Sequence, residues 1–183
     1  KRVKQDLEIL IAALHREIEG KRLAKKYLLA WENVPQTAYQ TLSALLADQI
    51  APERRAKSLE LLRRYVGMHT GSTALAKQAK ARFVESAAPG KIGPYRVEVE
   101  EAIANIPTYA GGIRALFEKF EIEGAEDGLD EMDRQFTDYG KWAKTSVLPK
   151  TRSEYREPQA IYAFRLKSAG IDIDPNNLDR KST

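Results

Sequence analysis

Apolar residues recur through this chain at the three- and four-residue spacing of a helix face, and nowhere do they alternate with polar ones for long enough to build a sheet. That period constrains the fold, because stripes repeating every 3.6 residues are buried by packing helix on helix. The expected fold class is all-α, a bundle of about seven or eight helices with no sheet. The 183 residues suit a single helical domain spanning 1–183, large enough to bury roughly 70% of its unfolded surface.

Proline and glycine punctuate the stripes. Leu7, Leu10, Ile11, Leu14 and Ile18 predict an amphipathic helix from residue 2 to about residue 29. Pro35 marks the first connection, and Tyr39, Leu42, Leu45, Leu46 and Gln49 outline a second helix ending before Pro52. Pro52 suits the first turn of a third helix, lined by Leu59, Leu62 and Val66 and ended by Gly67. Ser72 or Thr73 then caps a fourth, running to about Ala87.

Pro89-Gly90-Lys91-Ile92-Gly93-Pro94 reads as a loop, with a fifth helix starting at Pro94. A kink or short break is expected at Asn105-Ile106-Pro107, since proline lacks an N–H donor and clashes with the preceding turn. Tyr109, Ile113, Leu116, Phe117 and Phe120 face one side of a sixth helix, and Gly124 separates it from a seventh through Leu129, Phe136, Tyr139 and Ala143, which Pro149 ends. The last helix runs from Pro158 to Gly170, a natural left-handed stop. An extended connector, Ile171-Asp172-Ile173-Asp174-Pro175, follows.

Composition excludes several functions. The chain has no cysteine, which removes disulfides and thiolate metal sites. No apolar run approaches the roughly 20 residues of a membrane span. The net charge of +4 would suggest nucleic acid if it were clustered on a groove. Residues 1–26 hold eight Lys/Arg against four acids, while the remainder carries 22 of each, so the excess sits on the first helix and no nucleic-acid partner is expected.

Catalytic motifs are missing from the sequence. A zincin places two histidines at i and i+4 of one helix with a glutamate between them. Only His15 and His69 occur, on different predicted segments; His15 with Glu19 reads as an exposed polar pair and His69 as part of a helix terminus. No G-x-S-x-G elbow accompanies the serines, which read mostly as caps. Gly111-Gly112 lacks the flanking residues of a phosphate loop and suggests close helix packing. The acids from Glu118 to Asp133 lack the ordered ligand spacing of an EF-hand and read as a solvated helix start. Trp31 and Trp142 read as core or interface residues.

One cluster has chemistry suited to binding: Arg152, Tyr155, Arg156, Tyr162 and Arg165. Guanidinium groups grip a carboxylate through two parallel hydrogen bonds, and a tyrosine hydroxyl orients a carbonyl. The competing interpretation pairs Arg156 and Arg165 with surface acids and packs Tyr162 among helices. No catalytic or metal-ligating residue is assigned.

A series of short motifs has a shared order: Leu45-Leu46-Ala47-Asp48-Gln49, Pro52-Glu53-Arg54-Arg55, Leu61-Leu62-Arg63-Arg64-Tyr65-Val66-Gly67, Gly93-Pro94-Tyr95-Arg96, Tyr109-Ala110-Gly111-Gly112-Ile113-Arg114, Val147-Leu148-Pro149, the Arg152 to Pro158 segment, Ala160-Ile161-Tyr162-Ala163 and Gly170-Ile171-Asp172-Ile173-Asp174-Pro175. In that order they resemble the helical part of a bacterial family catalogued as domain of unknown function 885. Its members look like zinc metallopeptidases whose HExxH lies downstream of the region matched. The resemblance implies that the chain is a fragment of a longer protein, that zinc and catalysis belong to the missing part, and that this part forms one wall of a peptide-substrate cleft. It also suggests export to the periplasm or beyond. The partner so implied is the remainder of the same polypeptide, and a face that packed against it should be apolar and exposed, or buried by self-association. A helical protein–protein interaction module without enzymatic role is the alternative.

Overall fold

The computed structural model describes residues 2–171. Its helices are α1 (Arg2–Tyr27), α2 (Val34–Leu45), α3 (Pro52–Arg55), α4 (Lys57–Tyr65), α5 (Leu75–Ser86), α6 (Arg96–Ala104), α7 (Ile106–Lys119), α8 (Glu126–Trp142) and α9 (Gln159–Ser168). A π-helical turn, Ala143–Val147, and a 3-10 turn, Leu148–Lys150, extend α8. The fold is all-α: among the described residues there is no strand, only two isolated parallel bridges, Leu28 with Ile92 and Tyr95 with Arg152.

The core lies where α2, α4, α7 and α8 meet. Leu42, Leu62, Ile113, Phe117, Met132 and Phe136 are buried there, each stabilising the fold by about 1.5–3 kcal/mol through removal of apolar surface from water. A second cluster joins Phe83 of α5, Val99 of α6 and Ala143 and Val147 of the π turn. Trp31 and Trp142 lie against both clusters. Trp31 stacks on Tyr139 with ring centres 5.8 Å apart, and Phe83 meets Trp142 edge-on at 5.4 Å. The buried Tyr139 hydroxyl donates to the Glu32 carbonyl at 2.7 Å, and burial, its main influence, raises its pKa above the usual tyrosine value.

Several helix ends differ from those predicted, each for a local reason. The second helix begins at Val34, with Asn33 accepting from the Gln36 amide and Pro35 inside the first turn; Gln49 falls beyond its end. The third is broken at Ala56 into α3 and α4. No side chain caps α5, which starts at Leu75; the Ser72 hydroxyl instead donates to His69 O at 2.6 Å. Ser43 and Ser86, in the last turns of α2 and α5, likewise donate to carbonyls three residues earlier, so none of these three hydroxyls donates or accepts at a helix start. The break expected at Asn105-Ile106-Pro107 does occur, at Asn105, and Pro107 lies in the first turn of α7. Pro149 sits within the 3-10 turn, and Gly170 adopts φ +76 after α9. Of the connector following Gly170, only Ile171 lies within the described residues.

α1 is the exception to core building. Residues 3–19 are all exposed, and Leu7, Leu10, Ile11, Leu14 and Ile18 retain 47–54% of their surface. Only the C-terminal third of the helix is anchored. There Gly20 faces the Phe164 ring of α9, Ile92 N donates to Tyr27 O, and Leu29 N donates to Ile92 O, both at 2.9 Å. None of the described helices is long and apolar enough to cross a membrane.

Candidate functional site

Three segments meet beside the end of α1, the first of them far in sequence from the other two, which are contiguous. The first is Gly93–Arg96, whose backbone runs parallel to that of Arg152: Arg152 N donates to Pro94 O at 3.0 Å and Arg96 N to Arg152 O at 2.9 Å. The pairing draws Pro94 and Tyr95 out of the helix predicted to start there, and α6 begins at Arg96. The second is the loop 151–158, and the third is α9, which carries Arg165.

Arg152 organises this loop. Its Nε donates to Gly93 O at 3.2 Å, and its Nη1 donates to the carbonyls of Glu154 and Arg156, the latter at 2.9 Å. Carbonyl oxygens thus occupy much of the guanidinium's donor capacity. Tyr155 stands edge-on to Tyr95 with ring centres 5.4 Å apart and remains exposed. From α9, Arg165 Nη2 reaches Glu157 at 2.9 Å, and that carboxylate keeps only 13% of its side-chain surface. Arg165 keeps 61% of its own side-chain surface, so the guanidinium of this half-buried pair stays open to a competing carboxylate.

Of the five residues singled out in the sequence, Arg152, Tyr155 and Arg165 line one cleft of about 190 Å³ with an apolar side formed by Leu28, Leu29 and Trp31. Arg156 and Tyr162 do not line it; both side chains are exposed. Tyr162, on α9, keeps 42% of its surface, and Arg165 pairs with an acid, Glu157. Sequence reasoning missed Glu98, Glu157 and Tyr95 as lining residues. Tyr95 was visible inside the Gly93–Arg96 motif, but nothing in the spacing announced that this motif would lie against the loop after Lys150. With two arginines and two glutamates in its lining, the cleft is electrostatically mixed and offers donors and acceptors together.

Other candidate groups are engaged locally. A wider hollow of about 660 Å³ beside the turn between α4 and α5 contains Arg64 and His69. Arg64 is held by Glu60 at 2.6 Å, and His69 Nδ1 lies 3.0 Å from Thr70 O. His15 is exposed on α1. Asp130 and Asp133 pair with Arg114, each at 2.6 Å, and Glu131 pairs with Arg134. Gly112 lies under the Tyr39 ring, where a Cβ would come within 2.7 Å, while Gly111 faces open space; close packing therefore explains one glycine of the pair. Among the described residues no group of three or more His, Cys, Asp or Glu is placed to hold a metal ion.

The geometry defines an all-α protein with a mixed-charge, partly aromatic cleft assembled from a parallel backbone pairing and a loop leading into its last helix. The chain belongs to the family described as Bacterial protein of unknown function (DUF885), whose model matches residues 1–181. Comparison with curated proteins and with solved structures gave no match.

Proposed function

We propose that this helical region forms one wall of a peptide-binding cleft in a zinc-dependent peptidase, with the metal ligands and general base contributed by residues outside 1–183. One observation supports this reading: Arg152, Tyr155 and Arg165, whose chemistry suits carboxylate and carbonyl recognition, line one cleft together with Tyr95 from a segment far away in sequence. In this reading, Arg152 is a positioning residue that fixes the loop, and Arg165 meets the substrate by exchanging Glu157 for a ligand carboxylate. The exposed stripe of α1 supplies an apolar surface for the rest of the polypeptide to cover.

The test compares residues 1–183 with the chain extended by whatever coding sequence follows, each assayed on a peptide library with and without a metal chelator. Residues 1–183 alone should leave peptides intact, and the extended protein should cleave them until chelator is added. In the latter, Arg165→Ala should raise KM about tenfold with kcat little changed, the signature of lost ground-state binding. Chelator-sensitive cleavage by residues 1–183 alone, or an extended protein inert toward every peptide, overturns the proposal.

The same stripe motivates a second reading, a helical interaction module without enzymatic role. It is favoured if a specific protein is captured by residues 1–183 and lost on Leu10→Glu/Leu14→Glu, while the extended protein stays inert.

A further inference from the structure

A second hollow, of about 590 Å³, lies between the end of α1 and the end of α5 and, like the mixed-charge cleft, is lined by Leu28, Leu29 and Trp31. The two hollows share that apolar ridge. Their charge differs. Lys21, Lys25, Arg82 and Lys91 line the second hollow, against Glu85 as its one lining acid.

Two of these cations have partners: Lys21 Nζ lies 2.7 Å from Glu17, and Arg82 is 3.6 Å from Glu32. Among the described residues, Lys25 and Lys91 have neither an ion pair nor a hydrogen bond to a side chain. The backbone of the ridge offers little to a ligand, since Leu29 N donates to Ile92 O and Ala30 N to Ser86 Oγ, each at 2.9 Å. What remains is an apolar surface rimmed by excess positive charge. A ligand that satisfies both has an apolar body and a carboxylate, and unpaired lysines at the rim attract such a group over several ångströms.

We propose that this second hollow is a subsite for an acidic side chain of a peptide whose backbone crosses the Leu28–Trp31 ridge from the mixed-charge cleft. The proposal rests on the reading of this end of the bundle as a peptide-binding wall, and it specifies the substrate class as peptides carrying Glu or Asp beside an apolar residue. Continuity of the two hollows along one ridge selects a peptide over a free fatty acid, which has no backbone to place in the first cleft. It also selects a peptide over nucleic acid, because the ridge is aliphatic apart from Trp31 and offers no succession of stacking rings.

The experiment measures fluorescence anisotropy of labelled octapeptides, alternating Leu with Glu, Gln or Lys, added to the full chain of residues 1–183. The Glu peptide should bind about tenfold more tightly than the Gln peptide, and the margin should shrink as salt rises. Lys25→Glu/Lys91→Glu should abolish the margin while leaving the Gln peptide's affinity and the melting temperature unchanged. Lys25→Gln/Lys91→Gln should fall between. A margin that survives both double variants overturns the subsite, as does decanoate or a single-stranded oligonucleotide displacing the Glu peptide at equal concentration. Should the Gln peptide bind and lose affinity on Arg165→Ala with no advantage for Glu, the subsite falls and the wall stands. If a lysine-dependent Glu margin appears but the extended protein cleaves no peptide, the peptidase reading falls and the subsite stands. Absence of binding by any octapeptide overturns both.

Discussion

Gly93 lies directly beneath the carbonyl oxygen of Lys150: a Cβ added to it would come 1.7 Å from that oxygen and 2.7 Å from its carbon. Both obstacles are backbone, and they sit next to the paired segment in which Arg152 N meets Pro94 O. No rotamer change relieves such a contact. Gly93→Ala should therefore part the two segments and cost about 3 kcal/mol or more, at the upper end of single-substitution effects. Chemical denaturation measures the loss. Gly90→Ala is the contrast, having open space around the added carbon but φ +81, so its cost should be confined to backbone strain of about 1–2 kcal/mol.

Glu121 is the one non-glycine residue with positive φ among those described, at +51. It terminates α7: its N–H donates to Glu118 O and the next N–H, of Ile122, to Phe117 O, both at 3.0 Å. A left-handed residue at this position is the usual helix stop, and glycine adopts it without the Cβ clash. Glu121→Gly should raise stability by up to about 1 kcal/mol despite the added freedom of the unfolded chain. In a protein of this size that corresponds to a melting temperature higher by roughly 2–4 °C.

The helices were legible because each carries its own periodicity. Leu42, Ile113 and Phe136 fall on helix faces by spacing alone, and all three are buried. The cleft was legible only in its inventory. Arg152 and Arg165 have suggestive side chains, whereas the pairing of Tyr95 with Arg152 depends on two loops far apart in sequence and follows no local period. The π turn after Trp142 was invisible for a related reason: Ala143 and Val147 read as continued helix, and burial against Phe83 and Val99 accompanies the widened turn. The α1 stripe was legible as an apolar face, but periodicity does not say what covers it.

That stripe makes a sharp prediction about stability. Leu10 and Leu14 are about half exposed and belong to neither buried cluster, so Leu10→Glu and Leu14→Glu should each change unfolding free energy by no more than about 0.5 kcal/mol. Leu42, fully buried, should cost about 2–5 kcal/mol when changed to alanine. Sedimentation of the same proteins should show less association in the double glutamate variant than in the parent. A loss of several kcal/mol in Leu10→Glu would mean that α1 folds back onto the bundle in solution.

Acid should weaken the contact between α4 and α8 through Glu131. Hydrogen bonds from Arg134 first, and then from Gln135, hold the Glu131 carboxyl below its ordinary value of 4.5. Gln135 Nε2 donates both to Glu131 Oε1 at 2.6 Å and to the Val66 carbonyl just after α4 at 2.8 Å, so the carboxylate helps orient an amide that ties two helices together. Because the folded state binds this proton less readily than the unfolded chain, the stabilisation is fully present above the ordinary value and disappears as pH falls through the depressed folded value. Glu131→Gln removes the charge at every pH. The variant should be less stable than the parent at pH 7 by an amount on the surface-pair scale, under about 1 kcal/mol. The difference should narrow as pH drops below about 4.5 and vanish once the parent's carboxyl is protonated. Urea denaturation of both proteins across that range measures it, and a gap that stays constant or widens in acid would show that Glu131 stabilises the fold by something other than its charge.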